Sequence, residues 1–337
     1  MKFRVVIPCR NEVTYIGKCI ASLLEARRGD LTLSIVVADG MSDDGTRDEV
    51  LRIAAMHPEV RLMDNVQRTT PFALNLGLRD LDYDVGIILG AHAEVSPGFL
   101  TENARVLREH PEVGCAGGII TNMHENEMAR VISLAMSSPF GVGNAHFRTG
   151  GKSGYVDTVA FGAYRREVFE RVGFFDEELA RNQDDEFNYR VTQAGFKIFL
   201  DPAIESQYYV RGSLSKLYKQ YFQYGYWKVF VNRKHGAITT LRQLAPPLWM
   251  LFVSLGWLGF LIHPILGWSY VGMIVLYIGL AKWTAFRSAG FNLSLVVKLI
   301  ACYGILHASY GWGYLKGIVH FYFLRRNPTE GSQRLTR

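Results

Sequence analysis

Phe3-Arg4-Val5-Val6-Ile7-Pro8-Cys9-Arg10-Asn11-Glu12 reads as an apolar strand that runs directly into a polar turn. The pattern recurs twice. Ile35-Val36-Val37-Ala38 ends on Asp39-Gly40-Met41-Ser42-Asp43-Asp44-Gly45-Thr46, and Val85-Gly86-Ile87-Ile88-Leu89 ends on Gly90-Ala91-His92-Ala93-Glu94. Between them, Tyr15 to Ala26 has helical spacing, apolar at Ile16, Cys19, Ile20, Leu23 and Leu24. Helices are also expected over 46–56, 71–80 and 97–109, and short strands at 60–63 and 113–116. Strands alternating with helices imply βαβ units and a parallel sheet. Strands 33–38 and 85–89 are near-continuous apolar runs, as in strands covered on both faces. Ligands bind at the carboxyl ends of such strands, so three polar loops converge on one rim.

Residues 155–205 change character. A strand is expected over 156–163, a helix over 166–172, an acidic helix over 184–194 and a strand over 197–200. The acidic stretch is Asn182-Gln183-Asp184-Asp185-Glu186-Phe187-Asn188-Tyr189-Arg190. Residues 213–235 form an aromatic and basic amphipathic helix, suited to a water–lipid interface. Apolar stretches follow at about 246–267, 269–286 and 293–313, each near the roughly 20 residues that span a bilayer. Trp249, Trp257, Trp268, Tyr270, Trp283 and Trp312 suit aromatic belts. Lys282, Lys298 and His307 interrupt the pattern, and the other reading is a buried hairpin in a soluble protein. The tail (Arg325, Arg326, Arg334, Arg337) favours the cytoplasm. Three full spans would place that tail opposite a cytoplasmic catalytic domain, so one segment is re-entrant or interfacial on this reading. The expected organisation is a domain over 1–212, an interfacial helix region over 213–243, membrane helices over 244–324 and a basic tail over 325–337.

The 337 residues exceed one average domain. Apolar content of 49% and a mean hydropathy of +0.06 are high for a purely soluble chain. A net charge of +6 points to an anionic partner. No nucleic-acid-binding module is visible, and lipid head groups with a nucleotide diphosphate account for the charge. Cys9, Cys19, Cys115 and Cys302 show no C-x-x-C pairing, which argues against a zinc site or disulfides and for a reducing cytoplasm. The first strand starts at Phe3, so no signal peptide is expected. Gly150-Gly151-Lys152-Ser153 lacks the spacing and context of a phosphate-binding loop. Residues 140–154 read as a mobile loop, from which His146, Arg148 and Lys152 could meet phosphate.

Four motifs in order carry a resemblance: Pro8-x-x-Asn11-Glu12; Asp39-Gly-x-Ser42-x-Asp44-Gly45-Thr46; Phe161-Gly162-Ala163-x-Arg165-Arg166-x-x-Phe169-x-x-x-Gly173-x-x-Asp176-Glu177; and Asp184-x-Glu186-Phe187-x-x-Arg190. Over about residues 3–230 the chain resembles the family 2 inverting glycosyltransferases. Its membrane tail is similar to that of the succinoglycan-type exopolysaccharide enzymes. The resemblance implies an α/β fold: a GT-A domain, with a Rossmann-like, mixed and mostly parallel sheet, followed by a C-terminal α-helical membrane region.

It also implies roles. Asp39 reads the base of the donor nucleotide, or else is a turn or helix-capping Asp. Pro8 and Glu12 flank base and ribose, Asn11 belongs to the donor-binding set, and Arg10 either faces the diphosphate or is a surface arginine. Asp44 is either a nucleotide contact or part of a turn and helix cap. The family's Asp-x-Asp metal motif falls on Gly90-Ala91-His92, with Ala91 at the donor. His92 is then a ligand for a divalent metal, Mn²⁺ or Mg²⁺, and Glu94 supplies an oxygen if the strand stays extended. In the alternative, arginines neutralise the leaving group without metal. Asp184 aligns with the family's base, preceded by Gln183 where the family has Glu. Gly162, Asp185 and Arg190 belong to the acceptor side. Gln220 is what remains of the Q-x-x-R-W motif in Gln220-Tyr221-Phe222-Gln223-Tyr224, whose aromatic residues are equally interfacial anchors. The expected activity is inverting transfer from a nucleotide-sugar donor to a lipid-linked saccharide or polysaccharide, at the cytoplasmic face of the inner (plasma) membrane. The alternatives are a polyprenyl-phosphate sugar synthase and a non-catalytic nucleotide-binding membrane subunit.

Overall fold

A computed structural model describes residues 1–27, 29–210 and 212–328. The chain forms two compact units. One is Met1–Asn122 with His146–Tyr209; the other is Met123–Ala145 with the chain from Val210 onward.

In chain order the first unit contributes β1 (Lys2–Cys9), α1 (Val13–Ala26), β2 (Thr32–Asp39), α2 (Thr46–Ala54), β3 (Val60–Asp64), α3 (Thr70–Leu78), β4 (Val85–Ile88), β5 (Ala93–Val95), α4 (Phe99–Glu109) and β6 (Val113–Met123). The helices α5 (Glu127–Met136) and α6 (Pro139–Val142) belong to the second unit. The chain returns to the first unit through α7 (His146–Thr149), β7 (Gly154–Tyr155), β8 (Ala160–Arg165), α8 (Arg166–Val172), α9 (Gln183–Gln193) and β9 (Lys197–Tyr209). One sheet runs in the order β3-β2-β1-β4-β8-β6-β9-β5, with β7 on β9.

The β3-β2-β1-β4 half is parallel, as the apolar runs implied. β1 carries the next two strands on one side and β4 on the other, so the order reverses between β1 and β4. The pairs β4–β8, β6–β8, β5–β9 and β7–β9 are antiparallel. Several elements differ from their sequence reading. β6 runs to Met123 instead of 116, and β9 to Tyr209 instead of 200. Residues 156–159 lie outside the strand that begins at Ala160. The tails of β6 and β9 lack long apolar runs. Pairing with neighbouring strands holds them extended, which local composition does not encode.

The first unit's core lies on the two faces of this sheet. Phe3, Val5, Ile7, Ile35 and Val37 pack on one side with Ile16, Ile20 and Leu23 of α1. Val6, Val36 and Ala38 pack on the other with Leu74, Tyr164, Phe169 and Phe187. Period-2 alternation therefore sends successive β1 residues to opposite cores. All four cysteines are buried and unpaired.

The second unit adds α10 (Leu214–His235), α11 (Ala245–Leu255), α12 (Gly259–Ile262), α13 (Pro264–Ala289) and α14 (Leu293–Ile318). The stretches Leu241–Ile262, Pro264–Ala289 and Leu293–Phe323 are each long and apolar enough to cross a membrane. Asn126 caps α5 through Ala129 N–H, and Asn292 caps α14 through Leu295 N–H. α10 buries Leu217, Tyr226, Trp227, Val229 and Phe230. It meets α14 backbone to backbone: a Cβ at Gly313 would collide with the Phe222 carbonyl, and one at Gly225 with the Tyr310 carbonyl. Its apolar stripe is thus covered largely by protein.

Candidate active site

The tips of β1 and β2 are clasped together. Asn11 adopts a left-handed backbone, φ 55°, which turns the chain out of β1. Its N–H donates to Ser42 Oγ at 2.8 Å, and its side-chain amide exchanges hydrogen bonds with Asp43 at 2.8 and 3.1 Å. Glu12 N–H donates to Thr46 Oγ1 at 2.8 Å. Asp44 accepts from the Thr46 hydroxyl at 2.5 Å, from Thr46 N–H at 3.0 Å and from Val13 N–H at 3.2 Å. Burial alone would raise the Asp44 carboxyl, but these hydrogen bonds outweigh it and hold the group below the usual carboxylate range. In this structure, then, Asp44 acts as a turn residue that ties two loops.

Asp39 ends β2 fully buried. Its Oδ2 accepts from Ser42 N–H and from Arg47 Nη1, both at 2.9 Å, and its Oδ1 accepts a short hydrogen bond from the Ser42 hydroxyl. Arg47 also reaches Asp64 at 2.8 Å. A carboxylate has about four acceptor positions; the described residues fill three, two on Oδ2 and one on Oδ1. Sequence reasoning missed Ser42 and Arg47 as Asp39's partners. The only signal was their position in the same loop and the first turn of α2.

Pro8 is half-buried near the end of β1 and pairs with Ala38 in register. Gly40 leaves room for Arg10: a Cβ there would stand 3.2 Å from the Arg10 Cβ and Cδ. Burial pushes the Cys9 thiol far up, so it is no nucleophile.

Gly90, Ala91 and His92 form the turn between β4 and β5, with Ala91 buried. His92 Nε2 lies 2.7 Å from Glu12 Oε1, and both side chains are largely buried. The Tyr15 ring packs edge-on against His92 at 4.8 Å and lies tilted against Tyr209 at 5.1 Å. Tyr209 in turn donates its hydroxyl to Glu94 Oε1 at 2.6 Å. This amends the sequence reading: the acid at His92 is Glu12, which had been placed beside the base and ribose, while Glu94 is held by Tyr209. The reason is tertiary. β1 and β4 are neighbours, so the residues after their ends meet, whereas β5 pairs away with β9.

Whether this set fits a divalent cation can be judged from the donors. Among the described residues, no three His, Cys, Asp or Glu side chains gather as a metal site. Two donors 2.7 Å apart do match neighbouring corners of an octahedron with bonds of about 2.1 Å, whose edge is roughly 3 Å. Mg²⁺-type ions commonly take one or two carboxylates and complete the shell with phosphate oxygens and water. Glu12 supplies one such carboxylate, and His92 a nitrogen that Mn²⁺ accepts more readily than Mg²⁺.

Gly90 has one aromatic neighbour within van der Waals reach of an added Cβ. Phe161, the second residue of β8, has φ 49°, rare for an aromatic residue. Its ring edge would lie 3.6 Å from a Cβ at Gly90, which leaves room for a methyl group and brings β8 to the same rim. Gly162 is buried, with Cys115 Sγ and the Tyr164 ring 2.8 Å from any added Cβ, so it is a packing position.

Asp184 and Asp185 sit half-buried in the first turn of α9, where the helix dipole favours carboxylates. The segment before α9 is pinned twice. Arg190 donates to Val172 O at 2.9 Å and Phe174 O at 2.8 Å while forming a two-bond pair with buried Glu186 at 2.7 and 2.9 Å. Asn75 exchanges hydrogen bonds with the Phe175 backbone at 2.8 and 2.9 Å. Arg190 therefore positions α9. Tyr164 donates to Asn188 at 2.8 Å. Burial, with Cys115 and Asp184 adding to it, keeps the Tyr164 hydroxyl protonated well above its usual range. Gln220 is on α10 of the second unit and donates to the Tyr224 hydroxyl at 2.8 Å.

The sequence pattern described as glycosyl transferase family 2 matches residues 4–173. The chain belongs to this family. It is a glycosyltransferase, similar to two curated proteins along most of its length. One is the dolichyl N-acetyl-alpha-D-glucosaminyl phosphate 3-beta-D-2,3-diacetamido-2,3-dideoxy-beta-D-glucuronosyltransferase of Methanococcus voltae, 32% identical over 238 residues, covering 68% of this chain and 74% of that one. The other is the succinoglycan biosynthesis protein ExoA of Rhizobium meliloti (strain 1021), 31% identical over 250 residues, covering 72% and 73%. Among solved structures, the glycosyltransferase resembles the mannosyltransferase PcManGT from Pyrobaculum calidifontis in complex with GDP-Man and Mn²⁺. That match has a TM-score of 0.55 and 19% identity, over 94% of this chain and 86% of that one. At that identity the likeness supports the GT-A fold alone. The mixed sheet followed by apolar helices is the architecture the motifs implied.

Proposed function

We propose that this glycosyltransferase moves a sugar, with inversion, from a nucleotide-sugar donor, UDP-linked, to a lipid-linked saccharide or growing exopolysaccharide. The cytoplasmic face of the inner membrane is its place of action, with the sheet unit catalytic and the apolar helices as anchor. The observation that carries the reading is the constellation at the strand-order reversal: the clasped β1 and β2 tips, with Glu12 against His92 at the end of β4. The curated relatives' names, which mention a dolichyl-linked saccharide and succinoglycan, support the acceptor class.

In this reading the fourth acceptor position, on Asp39 Oδ1, takes the imide N–H of uracil, and rotation of the Ser42 hydroxyl admits it. Arg10 faces the diphosphate. A divalent cation, when bound by Glu12 and His92, neutralises charge on the departing diphosphate. The acceptor hydroxyl attacks the anomeric carbon, the bond to the diphosphate breaks, and Asp184 takes the hydroxyl proton. Asp185 shares the helix turn but points about 100° away.

The test is turnover of a panel of nucleotide sugars by detergent-purified protein, with Mn²⁺, Mg²⁺ or EDTA, beside Asp184→Asn. Asp184→Asn should lower turnover about 10²–10⁴-fold with donor binding retained. Retained turnover would remove Asp184 from its role and favour a phosphate acceptor, which needs no general base. If no nucleotide bound, the donor reading would fall.

A further inference from the structure

The charge pattern of the second unit, read on its helices, points to a membrane topology. From Val210 to the end, the sequence holds fifteen Lys and Arg and one acidic residue, Glu330. None of these charges lies in the 39 residues from Gln243 to Ala281. That uncharged run folds as a hairpin. α11 and α12 lead to His263–Pro264, and α13 returns beside them: Trp249 stacks on Tyr277 at 4.5 Å, and the Tyr270 hydroxyl donates to Val253 O at 3.1 Å. Each arm of about 19 residues measures roughly 28 Å as helix, close to the hydrocarbon thickness. Its outward side chains, including Leu251, Leu261, Ile262, Ile265, Leu266 and Val275, are exposed and apolar. Arg242 and Lys282 close the hairpin at its base.

α14 is of matching length but has other surroundings. Its apolar window is 39% buried, against 11% for each of the other two stretches. Along its first half, Lys298 pairs with Glu127 of α5 at 2.6 Å, and His307 Nε2 meets the Phe140 carbonyl of α6 at 2.8 Å. Along its second half, Gly313 and Gly317 lie against the Phe222 and Tyr226 carbonyls of α10, and beyond its end Arg326 O accepts from Arg233 at 3.1 Å. The contacts advance together along both helices, so α10 and α14 run parallel. α5 presents exposed Glu127 and Arg130, and α10 presents exposed Lys216, Lys219 and Lys234. Were α14 to cross the bilayer, these charged neighbours would be drawn into hydrocarbon beside it.

We infer that α14 does not cross. Residues 243–281 are the hairpin that enters the bilayer. α14, with α5 and α10, lies in the headgroup layer on the side where both ends of the hairpin emerge, and it meets anionic phospholipid. All fifteen cations of the segment then stand on one side, as the bias of Lys and Arg toward the cytoplasm requires. A crossing α14 would export Arg325, Arg326, Arg334 and Arg337 instead.

The experiment uses the full chain in sealed membrane vesicles of both orientations. Lys216→Cys and Asn327→Cys are each labelled with a membrane-impermeant maleimide; the four native cysteines are buried. Both sites should label from the same face, with rates in the two vesicle types changing together and at least tenfold between orientations. Labelling of Asn327→Cys from the face opposite Lys216→Cys would overturn the inference. A protease-cleavable peptide tag after Arg337 gives the same readout without a cysteine: cleavage on the Lys216 side supports it, and cleavage on the other side overturns it.

Discussion

Glu12→Gln tests which acid works with His92. The two side chains are 2.7 Å apart and largely buried. Gln keeps the length and a hydrogen-bonding oxygen and removes the charge. If the pair holds a divalent cation with the donor diphosphate, losing one anionic ligand should weaken cation affinity at least as much as losing a supporting partner does, about 10–100-fold. That factor corresponds to roughly 1.4–2.8 kcal/mol. Stability should change less. A charge-assisted hydrogen bond contributes about 1.5–3 kcal/mol and its neutral replacement about 0.5–1.5, so the net loss is about 1 kcal/mol, or a few degrees in Tm. The assay is turnover against Mn²⁺ concentration, with thermal unfolding measured in EDTA. Half-saturating Mn²⁺ should rise 10–100-fold in Glu12→Gln. Glu94→Gln should leave it within about twofold, because Glu94 is tied to Tyr209. The opposite ranking, or no cation dependence in the parent protein, would refute the assignment.

Asp44 gives a pH prediction. Its folded carboxyl titrates below the ordinary value, so its contribution is fully present above the unfolded value near pH 4 and is lost as pH falls through the folded one. The stability gap between the parent and Asp44→Asn, followed by thermal unfolding from pH 6 to 3, should therefore shrink toward the acid end; a gap that widened would contradict the sign. Gly313→Ala should destabilise the second unit by about 1–3 kcal/mol because its Cβ meets the Phe222 carbonyl. Gly304→Ala, on the same helix with nothing within 4 Å of its Cβ, should be neutral or stabilising by up to about 1 kcal/mol. Equal melting shifts for the two variants would show that helix contact is not the cause. Asn75→Ala frees the Phe175 backbone and should lower Tm by several degrees and turnover more than donor affinity, measured by separate binding and rate assays.

Much of the site was legible because its parts are local. A buried strand ending in a polar turn fixes where Pro8, Asn11, Glu12 and Asp39 must be. The acidic helix fixes Asp184 and Asp185 in a first turn. What each polar side chain touches was not legible. Asp44 proved to hold two loops, Arg190 to pin the segment before α9, and Glu94 to meet Tyr209 in place of His92. None of these partners except Thr46 lies near in sequence. The aromatic face of α10 read as a lipid-facing surface because composition alone does not distinguish lipid from a neighbouring helix as the apolar partner.

By itself the sequence determined the strand–helix alternation, the rim where the polar loops meet and the lengths apolar enough to cross a membrane. These follow from side-chain period and polarity along short segments, which act the same way in any fold. Only the tertiary structure decided that Glu12 meets His92, that Phe161 lies beside Gly90, and that α14 is clasped by α5, α6 and α10. Those contacts join residues about 70 to 170 positions apart, and strand order and close helix packing, which no local pattern records, bring them together.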